Sequence, residues 1–185
     1  PAYPVASNWR ASGTLRDYLI SNNVVAIADI DTRELTRLLR SAGVMRGVIA
    51  TGDVDTGALV REARAIPSME GTDLVRDVTC ARPFDWPHGA DAQISEGSAD
   101  LALPPQMRSK RPLRVAAYDF GIKWNILRRL TAYGCRVHVV PASTPATEVM
   151  ASDVDGIFLS NGPGDPAAVD YAIQNVRELT RSDTP

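Results

Sequence analysis

The chain has 185 residues, of which 44% are hydrophobic and 23% are charged, and its formal net charge is -2. This balance is typical of a globular protein with one or two domains. The sequence contains no run near the roughly 20 apolar residues of a membrane helix, no signal-peptide pattern and no basic stripe suited to a phosphate backbone. We therefore expect a cytoplasmic protein that binds neither membrane nor nucleic acid.

The first part of the chain has a mixed α and β pattern. Three helices are predicted by capping residues at their N-termini, namely Thr14, Asp31 and Asp55. Apolar runs at residues 24–30 and 44–51 are typical of strands. These signals predict a mixed α/β domain.

Regular periodicity fails between residues 79 and 112, where prolines, glycines and scattered polar residues give no sustained period. A change of pattern of this kind is typical of a domain boundary. We place a linker at residues 104–112, between a first domain at 1–103 and a second at 113–185.

Strands and helices alternate in the second domain. The predicted strands are 113–118, 136–140 and 156–160, and the predicted helices are 123–133, a short one around Thr147, and 166–181. This order predicts a parallel, doubly wound sheet with helices on both faces. Because such sheets usually have about five or six strands, we expect the remainder of the domain to lie beyond Pro185. The absence of an initial methionine also favours a piece of a longer protein.

The cysteines and histidines do not form a recognisable catalytic pair. Cys135 precedes a predicted strand, which is the reverse of a nucleophile elbow, and Cys80 has no neighbouring base. The cysteine spacing fits neither a zinc site nor a disulfide framework. His88 and His138 are the only histidines, and His138 alternates with valines, so we interpret it as structural. The residues alone predict no complete hydrolytic site and no metal site.

The triplet Asp119-Phe120-Gly121 copies the metal-binding triplet of protein kinases. However, the chain has no H-R-D catalytic-loop signature and no glycine-rich loop followed by a lysine strand. Aspartate and glycine are also common where a strand turns into a helix. We therefore interpret the triplet as a turn.

The sequence Asn161-Gly162-Pro163-Gly164-Asp165-Pro166 separates a predicted strand from a predicted helix. Open α/β sheets bind ligands at this position, and glycine lets the backbone approach a bound molecule. A tight turn that needs glycine and proline only for its geometry is an equal alternative. A nucleotide- or flavin-binding domain is a further alternative, although the third glycine is missing and Asp165 would face the phosphate.

A combination of stretches along the chain carries a family resemblance. They are Ser7-Asn8, 25–33, 35–40, 115–123, 125–128 and 156–166. In this order they resemble the small, glutamine-hydrolysing subunit of carbamoyl-phosphate synthetase. Anthranilate synthase and GMP synthetase share the class I glutaminase fold but lack the amino-terminal domain that residues 29–33 resemble. Trp124 departs from the family pattern, in which a basic residue is common at this position.

The resemblance implies a mixed α/β part of the amino-terminal domain, followed by the first half of a doubly wound class I glutaminase domain. In the family, a cysteine, a histidine and a glutamate hydrolyse glutamine, and the ammonia passes to a large partner subunit. The product, carbamoyl phosphate, enters arginine and pyrimidine synthesis. None of the three catalytic residues lies in this chain, so we expect them beyond Pro185 and expect residues 1–185 alone to be inactive.

Two site residues follow from the resemblance. Gly162 and Gly164 match the glycines that contact glutamine in the family, and the Gly162 amide is the expected oxyanion-hole donor. L-glutamine and the large subunit are the expected partners. No cofactor is expected in this chain, whereas ATP and Mg are expected on the large subunit. A non-catalytic α/β interaction module is the remaining alternative.

Overall fold

The computed structural model describes residues 5–6, 11–87 and 111–182. The chain divides into two compact units, residues 1–68 and 69–185. Most of the linker predicted at 104–112 lies outside the described residues, so the domain bounds stay a prediction. Among the helices that the structure describes, none has the length and apolar character needed to cross a bilayer.

The first unit contains the three helices that the capping residues predict. They are α1 (Leu15–Ser21), α2 (Thr32–Ala42) and α3 (Thr56–Ala65). The side chains of Thr14, Asp31 and Asp55 each accept a hydrogen bond from a backbone N–H in the first helical turn, at 3.1, 2.9 and 2.8 Å respectively. Gly43 ends α2 with a φ of 79°, a conformation that favours glycine. The predicted caps are confirmed.

The prediction of strands at residues 24–30 and 44–51 is wrong. Between residues 11 and 68 the structure describes no strand, and these runs expose apolar side chains such as Val25 and Ile49, which are 54% and 55% exposed. Asp29 has a φ of 61°, which interrupts an extended backbone. An apolar run shows strand propensity, but a strand also requires a hydrogen-bonded partner and a buried face.

The described residues of the second unit form four strands and four α-helices. The strands are β1 (Phe84–Asp85), β2 (Arg114–Asp119), β3 (Arg136–Pro141) and β4 (Gly156–Leu159). The helices are α4 (Val75–Val78), α5 (Trp124–Ala132), α6 (Ala146–Ala151) and α7 (Asp170–Leu179), with a 3-10 turn at Pro166–Ala168 before α7. The alternation predicted from residue 113 onwards is confirmed. Both α4 and β1 are too short to leave a periodic signal.

The four strands form one sheet in the order β1-β3-β2-β4. Strand β2 is parallel to both β3 and β4, while β1 is antiparallel to β3. The chain therefore moves from β2 to β3 on one side and then crosses back to β4 on the other side of β2. This arrangement confirms the predicted doubly wound parallel sheet. The short antiparallel strand β1 at one edge was not predicted.

Helices cover both faces of the sheet. Ala117 of β2 packs in one cluster with Leu127 of α5, and the neighbouring Tyr118 packs in another with Val149 of α6 and Leu179 of α7. Successive residues of a strand point to opposite faces, so the apolar middle of β2, residues 115–118, supplies both cores. The buried sheet holds the loops at the carboxyl ends of its strands.

Candidate functional site

The strand order reverses between β2 and β4, since β3 lies on one side of β2 and β4 on the other. Two connections lie at the carboxyl ends of these strands: the β2–α5 turn (residues 119–122) and the glycine loop (residues 161–166). Open α/β sheets bind ligands in the crevice at such a reversal. The glycine loop therefore occupies the position at which the fold favours a binding site.

The β2–α5 turn is built around a buried carboxylate. Asp119 is 7% exposed, and its Oδ1 accepts hydrogen bonds from the backbone N–H groups of Gly121 at 2.9 Å and Ile122 at 2.8 Å. Its Oδ2 accepts a hydrogen bond from the N–H of Cys80 at 2.9 Å. Within the described residues, no His, Cys, Asp and Glu side chains form a group suited to hold a metal ion. The interpretation of the Asp-Phe-Gly triplet as a turn is confirmed.

Ser160 connects the β2–α5 turn with the glycine loop. Its hydroxyl accepts a hydrogen bond from the N–H of Phe120 at 2.9 Å and donates one to the carbonyl oxygen of Asn161 at 2.8 Å. Because one hydroxyl bonds to both segments, their backbones are held at a fixed separation.

Gly162 lies directly against Phe120 of the β2–α5 turn. A Cβ at this position would lie 3.0 Å from the Cβ of Phe120 and would overlap the Phe120 carbonyl oxygen. This close approach excludes every side chain, whatever its polarity.

Gly164 requires glycine for a different reason. Its φ is 82°, which other residues rarely adopt, and a Cβ would lie 3.3 Å from both the carbonyl oxygen of Thr72 and the Cβ of Leu74. The loop then ends at Asp165, whose Oδ1 accepts a hydrogen bond from the N–H of Ala167 at 2.9 Å. Asp165 therefore caps the 3-10 turn at Pro166–Ala168.

A cavity of about 550 Å³ lies between the glycine loop and α7. The side chains that line it are mostly apolar, and they include Val75, Phe120, Val169 and Val176. In the part of the chain that the structure describes, the N–H groups of Gly162 and Gly164 donate no hydrogen bond. Two backbone donors at an apolar cavity suit an oxygen atom that acquires negative charge.

Neither cysteine is activated as a nucleophile. Burial, assisted by the neighbouring Asp119 carboxylate, raises the pKa of the Cys80 thiol to about 11. Burial also raises the pKa of Cys135. Both thiols are therefore protonated at neutral pH, whereas the reactive form of cysteine is the thiolate.

The structure gives His138 a partner that the sequence did not indicate. Its Nδ1 lies 2.7 Å from Oδ1 of Asp85, which is opposite His138 on the antiparallel edge strand β1. The pair lies on an exposed edge of the sheet. His88 lies outside the described residues.

Sequence reasoning also missed residues 71–80, which precede the predicted linker but belong to the second unit. The N–H of Gly71 donates a hydrogen bond to Oδ2 of Asp165 at 3.1 Å, and Val75 lines the cavity. The available signal was weak: α4 has only four residues, and Asp73, two residues before it, accepts a hydrogen bond from the N–H of Val75 at 3.1 Å.

Comparisons with known proteins agree with this geometry. Residues 116–185 match the family model "Glutamine amidotransferase class-I", and residues 2–49 match "Carbamoyl-phosphate synthase small chain, CPSase domain". A carbamoyl phosphate synthase small chain from Syntrophotalea carbinolica is 50% identical over 96% of this chain and 46% of the relative. The corresponding chain of Pseudomonas aeruginosa is 47% identical over 98% of this chain and 47% of the relative. The chloroplastic small chain of Oryza sativa is 44% identical over 94% and 37%.

The doubly wound unit with its strand-end glycine loop is thus a domain of the class I glutamine amidotransferases. The two matching family models together cover more than half of the chain, and the Syntrophotalea carbinolica small chain matches 96% of it. The chain belongs to the carbamoyl phosphate synthase small-chain family. It spans about half the length of the curated relatives it matches, at 46% of the Syntrophotalea carbinolica protein.

Proposed function

We propose that this chain is part of the small subunit of a glutamine-dependent carbamoyl phosphate synthase. In this role the complete subunit, meaning the full-length polypeptide that contains residues 1–185, hydrolyses L-glutamine. The ammonia then passes to a large partner subunit, on which ATP and Mg are expected. Similarity to carbamoyl phosphate synthase small chains over nearly the whole chain supports this assignment. The observation that carries it is the position of two backbone N–H groups, those of Gly162 and Gly164, at the strand-order reversal, where they donate no hydrogen bond to any residue that the structure describes.

The glycine loop would act on the glutamine carboxamide. When a nucleophile attacks the amide carbon, the carbonyl π electrons move onto the oxygen, which becomes negatively charged. In this proposal the N–H of Gly162 donates to that oxyanion, and Gly164 contacts the substrate beside it. Because both donors belong to a fixed backbone, they need no reorganisation as charge develops.

The chain's own residues also determine how rigid this donor is. The hydroxyl of Ser160 joins the loop to Phe120, and the Asp119 carboxylate fixes the next two residues of the turn. A donor held in this way keeps its direction between the ground state and the transition state. Such preorganisation typically contributes about 10²–10³ in rate for a single oxyanion donor.

We also propose that the nucleophile is supplied from outside residues 1–185. The thiols of Cys80 and Cys135 are protonated at neutral pH, and neither is paired with a histidine in the described residues. Residues 1–185 alone should therefore release no ammonia from glutamine.

The test compares the 185-residue chain with the complete subunit bound to its synthetase partner. The complete enzyme should form carbamoyl phosphate from glutamine, bicarbonate and ATP, while the 185-residue chain should produce no glutamate from glutamine. Cysteine-dependent glutaminase activity in the 185-residue chain would contradict the external nucleophile. A complete enzyme that used ammonia but not glutamine would contradict the proposed function.

A further inference from the structure

Asp165 makes two hydrogen bonds with different consequences. Its Oδ1 caps the turn that follows, by accepting from the N–H of Ala167 at 2.9 Å. Its Oδ2 accepts from the N–H of Gly71 at 3.1 Å, across 94 positions of sequence. These backbone N–H groups hold the pKa of Asp165 below its ordinary value, so the carboxylate is ionised at neutral pH. The second bond joins the glycine loop to the docking segment, which we define as residues 71–80.

The far end of the docking segment is also fixed. The N–H of Cys80 donates to Oδ2 of Asp119 at 2.9 Å, and the hydroxyl of Thr79 accepts from the N–H of Ala142 at 2.9 Å. The segment is therefore attached to the ends of β2 and β3 at one end and to the glycine loop at the other.

Between these anchors the docking segment packs directly on the glycine loop. The α carbon of Gly164 is so close that an added Cβ would lie 3.3 Å from both the carbonyl oxygen of Thr72 and the Cβ of Leu74. Val75, which is 4% exposed, lines the same cavity as the loop. Since the contacts are close, a displacement of the docking segment would move the backbone at Gly164.

We propose that Asp165 is a positioning residue for glutamine hydrolysis, which latches the docking segment to the glycine loop and so holds the N–H groups of Gly162 and Gly164 in place. This inference rests on the proposed function. Asp165 contacts no reacting atom in this scheme and acts only through the backbone of the loop. The latch also makes part of the chain before the predicted linker a wall of the glutamine site.

The variants Asp165→Asn and Asp165→Ala in the complete enzyme separate the latch from the cap. Asparagine is as good an N-cap as aspartate, so its side-chain oxygen can keep the bond to Ala167. Its amide nitrogen then faces the N–H of Gly71, and a donor cannot accept that bond. Asp170→Asn is the matched control, because Asp170 is an exposed aspartate at the start of α7.

If the latch acts as proposed, both Asp165 variants lower kcat/KM for glutamine by about 10- to 100-fold. Synthesis from ammonia should stay within about twofold, as should both activities of the control. Wild-type glutamine use by Asp165→Asn with a loss in Asp165→Ala would show that Asp165 is only a cap, and would overturn the proposal. An equal loss with glutamine and ammonia would show a general stabilising role, and would also overturn it.

The same series separates this inference from the proposed function. A wild-type enzyme that uses glutamine, together with unaffected Asp165 variants, overturns the latch alone. A wild-type enzyme that uses only ammonia overturns the proposed function and the latch with it.

Discussion

Replacement of Gly162 by alanine is the smallest change that tests the geometry of the glycine loop. The added methyl would overlap the carbonyl oxygen of Phe120 and lie 3.0 Å from its Cβ. The backbone of Phe120 cannot easily move away from the added methyl. Its N–H donates a hydrogen bond to Ser160 Oγ at 2.9 Å, and the next residue of the turn donates one to the Asp119 carboxylate. The glycine loop must therefore shift by about 1 Å to restore ordinary van der Waals separations.

The cost of that shift can be estimated. A displacement of about 1 Å in a group that positions reacting atoms can lower the rate about 100-fold. This loss corresponds to about 2.7 kcal/mol of activation free energy. We expect Gly162→Ala to lower kcat/KM for glutamine by about 10², the lower end of the range for loss of an oxyanion donor.

The assay measures carbamoyl phosphate formed by the complete enzyme with either glutamine or ammonium chloride as nitrogen source. Only the glutamine-dependent reaction should fall, since ammonia does not use the glycine loop. Gly47→Ala is the control, because a methyl there would meet no atom within 4 Å. Unchanged glutamine use by Gly162→Ala would refute the oxyanion role, and so would an equal loss with both nitrogen sources.

Three further predictions concern stability and reactivity. Gly164→Ala should lower the free energy of unfolding of the complete subunit in urea by about 1–2 kcal/mol, because its φ is 82°; an unchanged urea midpoint would argue against this backbone strain. Burial raises the pKa of Cys80 to about 11. The rate of its alkylation by iodoacetamide should therefore still rise with pH above the ordinary thiol pKa of about 8.5. A rate that levels off near pH 8.5 would contradict the buried thiol. The Arg111 side chain, with the backbone N–H of Arg114, lowers the pKa of Asp155 to about 2. Asp155 therefore stabilises the fold above its unfolded pKa of about 3.9, and this stabilisation disappears as pH falls towards 2. Urea unfolding of Asp155→Asn should show a weaker loss of stability across that acid range, whereas an unaltered acid dependence would rule out the pair.

Local signals in the sequence predicted much of the fold. The caps at Thr14, Asp31 and Asp55 were recognised because each bonds to a backbone N–H within three residues. The alternation of strands and helices after residue 113 was recognised because each element has its own period. Parallel pairing followed from that order.

Non-local features were not predictable in the same way. The runs at residues 24–30 and 44–51 look like strands, but pairing depends on a partner that a local pattern does not specify. The bond from Gly71 to Asp165 and the pairing of His138 with the two-residue strand β1 join segments that are far apart in sequence. No periodicity marks such contacts.

The candidate site falls between these cases. Gly162 and Gly164 stand out in the sequence because two glycines follow a predicted strand. The family resemblance implies that they contact glutamine. Their physical reasons emerged only from the fold: the carbonyl oxygen of Phe120 crowds one, and a positive φ fixes the other. Their contact with glutamine stays a prediction.

The most direct test of the proposed function follows the amide nitrogen of glutamine. The complete subunit with its synthetase partner would receive glutamine isotopically labelled at the side-chain amide, together with bicarbonate and ATP. We expect the label to appear in carbamoyl phosphate, with one glutamate formed for each label transferred. Unlabelled product, in an enzyme that still makes carbamoyl phosphate from free ammonia, would contradict the account.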